Sequence, residues 1–120
     1  IVVNVVAPRP HNSEHHTIEA NYVSQYEQVL RTIFEIPMGD TTPRDHGVMV
    51  NILGEDGYTG EALYEGLKEC LAIPGVFVHL YGKKITKPFR KMGHVTIVGK
   101  DANAIKATAK LVKEQLKVIA

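Results

Sequence analysis

Residues 1–6 are β-branched and apolar apart from Asn4, a run without alternation that predicts a buried strand. Residues 7–16 break that pattern with Pro8, Pro10 and a dense set of polar side chains, so they predict a loop leaving the strand end. Over 22–35 the apolar positions Val23, Tyr26, Leu30, Ile33 and Phe34 recur at three and four, which predicts a helix with one buried stripe, closed by Pro37. A connector rich in turn residues (Gly39, Asp40, Pro43) follows, and a domain boundary is expected at residue 42.

Residues 47–53 predict a second strand, and Gly54-Glu55-Asp56-Gly57 a turn into a helix over 59–71. Thr59 would cap that helix, and Leu63, Leu67, Cys70 and Leu71 would form its apolar face. Residues 76–81 alternate as a strand, 82–93 read as a polar loop, and 94–98 as a further strand. Asp101 caps a final helix whose buried line is Ile105, Ala109, Val112 and Leu116, with lysines toward water. Four strands and three helices without strict alternation predict an α+β fold.

Composition narrows the function classes. A chain of 120 residues with 44% hydrophobic and 22% charged residues suits one compact globular unit. Its formal charge of +1 supplies no broad basic field for a nucleic-acid backbone, so any anion is read locally. No apolar run approaches the roughly 20 residues of a membrane span, and no signal peptide is visible, so a cytoplasmic protein is expected. Cys70 is the single cysteine, which excludes an internal disulfide and predicts a buried thiol. Because the first residues already read as a strand, the chain is expected to begin inside a longer protein.

Two polar segments carry candidate chemistry. Arg9, His11, Asn12 and Ser13 combine a planar cation, an imidazole, an amide and a hydroxyl, a set suited to a small oxyanion, although polar turn residues also often serve only their own loop. His11, His15 and His16 raise the question of zinc, but their spacing is no recognised ligand pattern and no metal site is assigned to them. Lys83, Lys84, Lys87, Arg90 and Lys91 lie between Gly82 and Gly93, where cations and backbone could cradle a monoester phosphate; a basic run is otherwise a solvated face. Residue chemistry alone therefore describes an anion-binding α+β domain.

The motifs go further. Ala7-Pro8-Arg9-Pro10-His11-Asn12-Ser13, then His15, Thr17-Ile18-Glu19-Ala20 and Ser24-Gln25-Tyr26-Glu27-Gln28, closely resemble the end of the ATP-grasp domain in the 5-(carboxyamino)imidazole ribonucleotide synthases. Val48-Met49-Val50-Asn51-Ile52-Leu53-Gly54, Ile73-Pro74-Gly75, His79-Leu80-Tyr81-Gly82-Lys83 and Arg90-Lys91-Met92-Gly93-His94-Val95-Thr96 resemble the C-terminal domain of the same ligases. The resemblance implies the end of an ATP-grasp domain over 1–42 and a small α+β C-terminal domain over 43–120.

It also implies an ATP-dependent ligase of purine biosynthesis, a cytoplasmic homodimer that uses ATP and Mg2+ to activate bicarbonate as carboxyphosphate and carboxylates 5-aminoimidazole ribonucleotide. Arg9 would then hold bicarbonate or carboxyphosphate, with His11 and Asn12 shaping the pocket, while Asn4 and Val5 would stand at the ATP and metal end. Lys83, Arg90 and Lys91 would bind the ribonucleotide phosphate. Two positions depart from the family pattern: Val5 replaces a metal-binding glutamate, and Glu14 replaces a glycine after His-Asn-Ser. The glycine-rich loop and ATP-contacting lysines of such ligases are not found in these 120 residues, so the chain alone is expected to be inactive. The alternative is a non-catalytic anion-binding or interaction module that keeps the scaffold.

Overall fold

The computed structural model describes residues 2–3 and 6–120. The expected ATP-side residues Asn4 and Val5, and Ile1 of the expected first strand, lie outside the described residues. Val2, Val3 and Val6 carry no strand and are exposed at 91%, 77% and 85%.

The fold is α+β, centred on a three-stranded antiparallel sheet of order β1-β6-β4, formed by β1 (His46–Leu53), β6 (Lys91–Gly99) and β4 (Val76–Leu80). As the middle strand, β6 is covered on both faces, which is why Met92 through Thr96 are buried without interruption. On one face Val95 and Ile97 join Ile105, Ala109 and Val112 of helix α4 (Ala102–Gln115), and Leu116 just past its end, in the hydrophobic core. Helix α4 starts where its cap dictates: Asp101 accepts hydrogen bonds from the amides of Asn103 and Ala104, and those bonds hold its carboxyl below the usual range.

On the other face lies a short helical arm absent from the sequence expectation, a 3₁₀ turn over Asn12–His16 running into α1 (Thr17–Ala20). It crosses β1 closely enough that a Cβ on Gly47 would sit 2.9 Å from Ala20 Cβ. Glu14 falls inside the 3₁₀ turn and does not take a positive φ, so glutamate fits the local backbone there.

Helix α2 (Gln25–Ile33) is capped by Ser24, whose hydroxyl accepts from the Glu27 amide. It ends ahead of Pro37, with Glu35 at φ 54 turning the chain out of the helix. Its expected buried stripe is only half realised. Val23 and Tyr26 are half-buried, whereas Leu30, Ile33 and Phe34 are exposed at 54%, 65% and 68%. Gln28 is the buried side chain of α2, its amide bonded both ways to the Gly39 backbone.

The expected helix over 59–71 is instead β2 (Gly60–Glu61), β3 (Leu63–Glu65) and a short α3 (Leu67–Leu71). Gly66 causes the break: it sits at φ 71, and a Cβ there would lie 2.2 Å from the Gln115 carbonyl oxygen. Thr59 therefore caps nothing, and Leu63 lies on a strand that pairs with β7 (Lys117–Ile119). The expected loop over 82–93 contains β5 (Ile85–Thr86), which pairs with β2, and the first residues of β6. Cys70 is free and fully buried, as expected, and burial pushes its thiol pKa up.

Candidate functional site

The arm face of the sheet carries a row of three polar side chains from three strands. Asn51 on β1 stands opposite His94 on β6, and His94 stands opposite His79 on β4. The arm presents Asn12, His15 and Glu19, at the spacing of one helical face, to that row. Asn12 Nδ2 donates to Asn51 Oδ1 at 3.0 Å. His15 stacks on His94, and Glu19 Oε1 meets His79 Nε2 at 2.5 Å.

The rings form a continuous ladder. Tyr26 stacks on His15 with centroids 5.5 Å apart, His15 on His94 at 4.2 Å, and His94 on His79 at 4.5 Å. The Tyr26 hydroxyl bonds His15 Nδ1 and also donates to the His11 carbonyl at 3.3 Å. Inside the ladder the Tyr81 hydroxyl shares a 3.0 Å hydrogen bond with His94 Nδ1, and Lys83 Nζ lies 5.5 Å from the Tyr81 ring centroid. Lys83 Nζ donates to the Lys91 carbonyl.

Charge is disfavoured inside this ladder. His94 is 3% exposed, and its pKa is pushed down to about 4, first by burial and then by His15 and His79. His15 is lowered by burial and by the nearby His79, Lys91 and His11, with Glu19 pulling the other way. Burial raises the phenols of Tyr26 and Tyr81, Tyr26 with further contributions from Tyr81 and Glu14. His94 Nε2 is buried and has no hydrogen-bond partner among the described residues. A proton there would place a charged N–H against no acceptor.

Arg9 and His11 line a cleft of about 420 Å3 with Pro8, Ser13, Glu14 and Gln25. His11 Nδ1 lies 3.0 Å from the Ser13 hydroxyl and caps the 3₁₀ turn by accepting from the Ser13 amide. Asn12 does not line that cleft, because its amide is turned to Asn51. Nor do Lys83, Arg90 and Lys91; Lys83 lies over Tyr81 and holds the Lys91 carbonyl. Arg90 Nη1 donates to the Ile85 carbonyl at 2.9 Å, and the preceding Phe89 adopts φ 62 with its amide bonded to the Gly54 carbonyl. This turn lies so close that a Cβ on Gly54 would be 2.2 Å from the Lys87 oxygen.

Residues 47–108 match the family model of the phosphoribosylaminoimidazole carboxylase C-terminal domain. The chain belongs to this family. Among relatives, it is 43% identical to the chloroplastic phosphoribosylaminoimidazole carboxylase of Vigna aconitifolia over 95% of this chain and 21% of that one. It is 45% identical to the N5-carboxyaminoimidazole ribonucleotide synthase of Synechococcus elongatus over 79% of this chain and 24% of the relative. The chain thus spans about a fifth to a quarter of the length of these relatives.

The crystal structure of the N5-carboxyaminoimidazole ribonucleotide synthetase from Thermotoga maritima superposes with a TM-score of 0.93 at 50% identity, covering 99% of this chain and 33% of that one. The Aspergillus clavatus N5-carboxyaminoimidazole synthase, solved with ADP and 5-aminoimidazole ribonucleotide, gives a TM-score of 0.74 at 30% identity over 88% of this chain and 28% of that one. In this carboxylase family member the arm and the sheet are bridged by Asn12–Asn51, His15–His94 and Glu19–His79. Glu19, Asn51, His79 and His94 stood inside the quoted motifs, but their pairing needs the strand register.

Proposed function

We propose that this chain is the C-terminal part of an ATP-dependent ligase of purine biosynthesis that carboxylates 5-aminoimidazole ribonucleotide, taking its carboxyl group from bicarbonate through carboxyphosphate. The observation that carries the reading is the match to the Thermotoga maritima synthetase over 99% of this chain, at 50% identity. Residues 1–42 would end an ATP-grasp domain and 43–120 would form the C-terminal domain. A cytoplasmic homodimer belongs to the same reading; the Vigna aconitifolia relative is a chloroplastic enzyme.

Arg9 is assigned to bicarbonate or carboxyphosphate, whose charge its planar fork can meet with paired hydrogen bonds. His11 and Asn12 shape that pocket, His11 from the cleft and Asn12 by anchoring the loop to Asn51. Lys83, Arg90 and Lys91 are assigned to the ribonucleotide phosphate. Fixed cations of this kind lower the barrier by meeting charge without reorganising, and enclosure protects a labile carboxyl donor from water.

ATP supplies the phosphoryl group, and Asn4 and Val5 are assigned to its end of the site. Mg2+ is its partner, but the residues at hand do not fit it. Val5 offers no oxygen, and no group of three or more His, Cys, Asp or Glu side chains among the described residues could hold a metal. The carboxylates for Mg2+ belong to the rest of the longer protein, and the 120 residues alone are assigned no turnover.

Isothermal titration of the longer protein with 5-aminoimidazole ribonucleotide tests the phosphate assignment. Arg90→Ala should weaken binding at least tenfold, the scale of one lost charged hydrogen bond. Parental affinity in that variant would refute it. Val5 favours a second reading, a non-catalytic binding module; ATP turnover restored only by Val5→Glu would support that reading, and equal turnover with valine would remove it.

A further inference from the structure

The arm-to-sheet row does more than close the fold. It touches both segments assigned to substrate: Asn12 belongs to it, Tyr26 bonds the His11 carbonyl, and Tyr81, bonded to His94, carries Lys83, which in turn holds the Lys91 carbonyl. The contacts differ in kind along it: an amide pair, a face-to-face imidazole pair and a carboxylate on an imidazole. Each contact has its own geometry and its own strand, so the three together fix the arm across β1, β6 and β4.

We infer that the ladder of Tyr26, His15, His94 and His79, clamped by Asn12–Asn51 and Glu19–His79, is a positioning device that holds the Arg9–His11 loop in register with the Lys83–Lys91 segment. The inference rests on the proposed function, since the loop it positions is the one assigned to carboxyphosphate. None of His15, His94 and His79 is assigned a contact with substrate, so they are positioning residues rather than catalytic ones.

The device works while the inner imidazoles are neutral. The rings are parallel, with centroids 4.2 and 4.5 Å apart, and Glu19 holds the outer ring, His79, through Nε2. A proton on His94 would put a buried charge between two stacked rings with no acceptor at Nε2 among the described residues, and a proton on His15 would put one against the buried face of His94. The groups that face the pair come from every neighbouring element: His11 ahead of the arm, Glu19 on it, Tyr26 from α2, His79 from β4, Tyr81 after it and Lys91 from β6, with Glu14 behind Tyr26 and Lys83 behind Tyr81. Of these, Glu19 is the carboxylate that favours a proton on His15, and Lys91 and His79 oppose it.

The test uses the longer protein with His15→Ala, which removes the stack, and His15→Phe, which keeps a flat ring but cannot take a proton. His15→Ala should lower kcat/KM for 5-aminoimidazole ribonucleotide about tenfold, the scale of two lost ring contacts. His15→Phe should recover most of that loss at neutral pH, and the acid limb of its pH profile should move to lower pH. A purely structural ring would leave the limb where it was. Parental kcat/KM in His15→Ala, or an unmoved acid limb in His15→Phe, overturns the inference.

Absence of ribonucleotide-dependent turnover in the parent would defeat the proposed function separately. Positioning is then decided by hydrogen exchange in the same proteins. The amides of Ser13, Glu14 and Gln25, all bonded within the arm region, should exchange about three to ten times faster in His15→Ala and return toward parental rates in His15→Phe. Unchanged rates in His15→Ala overturn it.

Discussion

His15 lies face to face on His94, their ring centroids 4.2 Å apart and their planes inclined by 11°. One ring comes from the polar stretch after Pro10, the other from the middle strand of the sheet. Neither ring can be charged at little cost while the other is held against it, so the contact makes packing depend on protonation.

Stability should therefore fall in mild acid. His94 binds its proton less tightly in the folded chain, at about 4, than at its ordinary 6.5, and His15 is lowered as well. The unfolded state then binds more protons between those values, so stability is full above 6.5 and declines as pH drops toward 4. Urea denaturation at about pH 7.5 and about pH 5 measures this; the ceiling for His94 is on the order of 3 kcal/mol over the whole interval. His94→Phe should flatten much of the slope, and an unaltered slope would place its origin elsewhere.

The amide pair at the other end of the row should show measurable coupling. Asn12 Nδ2 donates to Asn51 Oδ1 at 3.0 Å, part-buried under the arm. Asn12→Ala, Asn51→Ala and the double variant, compared by chemical denaturation, should give a coupling energy of about 1 kcal/mol. Strict additivity would show that the contact does not hold the arm.

Gly54→Ala should damage both stability and phosphate binding. The added methyl would meet the Lys87 oxygen at 2.2 Å, and the turn it displaces leads through Phe89 to Arg90. A loss of about 1–3 kcal/mol in unfolding free energy is expected, with weaker ribonucleotide binding in titrations of folded protein. Parental values in both measurements would mean that this close approach is not needed.

Much of the fold was legible along the chain where local signals agreed. Helix α4 was readable because Asp101 caps it and Ile105, Ala109, Val112 and Leu116 keep one period. Residues 59–71 were misread because Leu63, Leu67 and Leu71 mimic a helical stripe, whereas Gly66 needs a left-handed backbone that ends any helix through it. The stripe on α2 was real as a pattern, but periodicity reports an apolar face and not what covers it, and Leu30, Ile33 and Phe34 are exposed.

At the candidate site the motifs pointed to Arg9, His11, Asn12, Lys83, Arg90 and Lys91, while the links between them stayed hidden. Asn12, His15 and Glu19 share one face of the arm, but Pro8, Pro10 and the polar residues around them read as loop. Their partners Asn51, His94 and His79 become neighbours only through antiparallel pairing across three strands. Such pairing is set by long-range register, which no local window of sequence contains.

The central claim is that the arm loop and the basic segment serve one carboxylation, and turnover by the longer protein tests it most directly. ATP, Mg2+, bicarbonate and 5-aminoimidazole ribonucleotide are supplied together, and the carboxylated ribonucleotide and ADP are measured for the parent, Arg9→Ala and Arg90→Ala. The account predicts product formation in the parent and a loss of about a hundredfold or more in kcat/KM for each variant, the scale expected when a cation that meets transition-state charge is removed. Parental kcat/KM for both variants, or no carboxylated ribonucleotide from the parent, would contradict it.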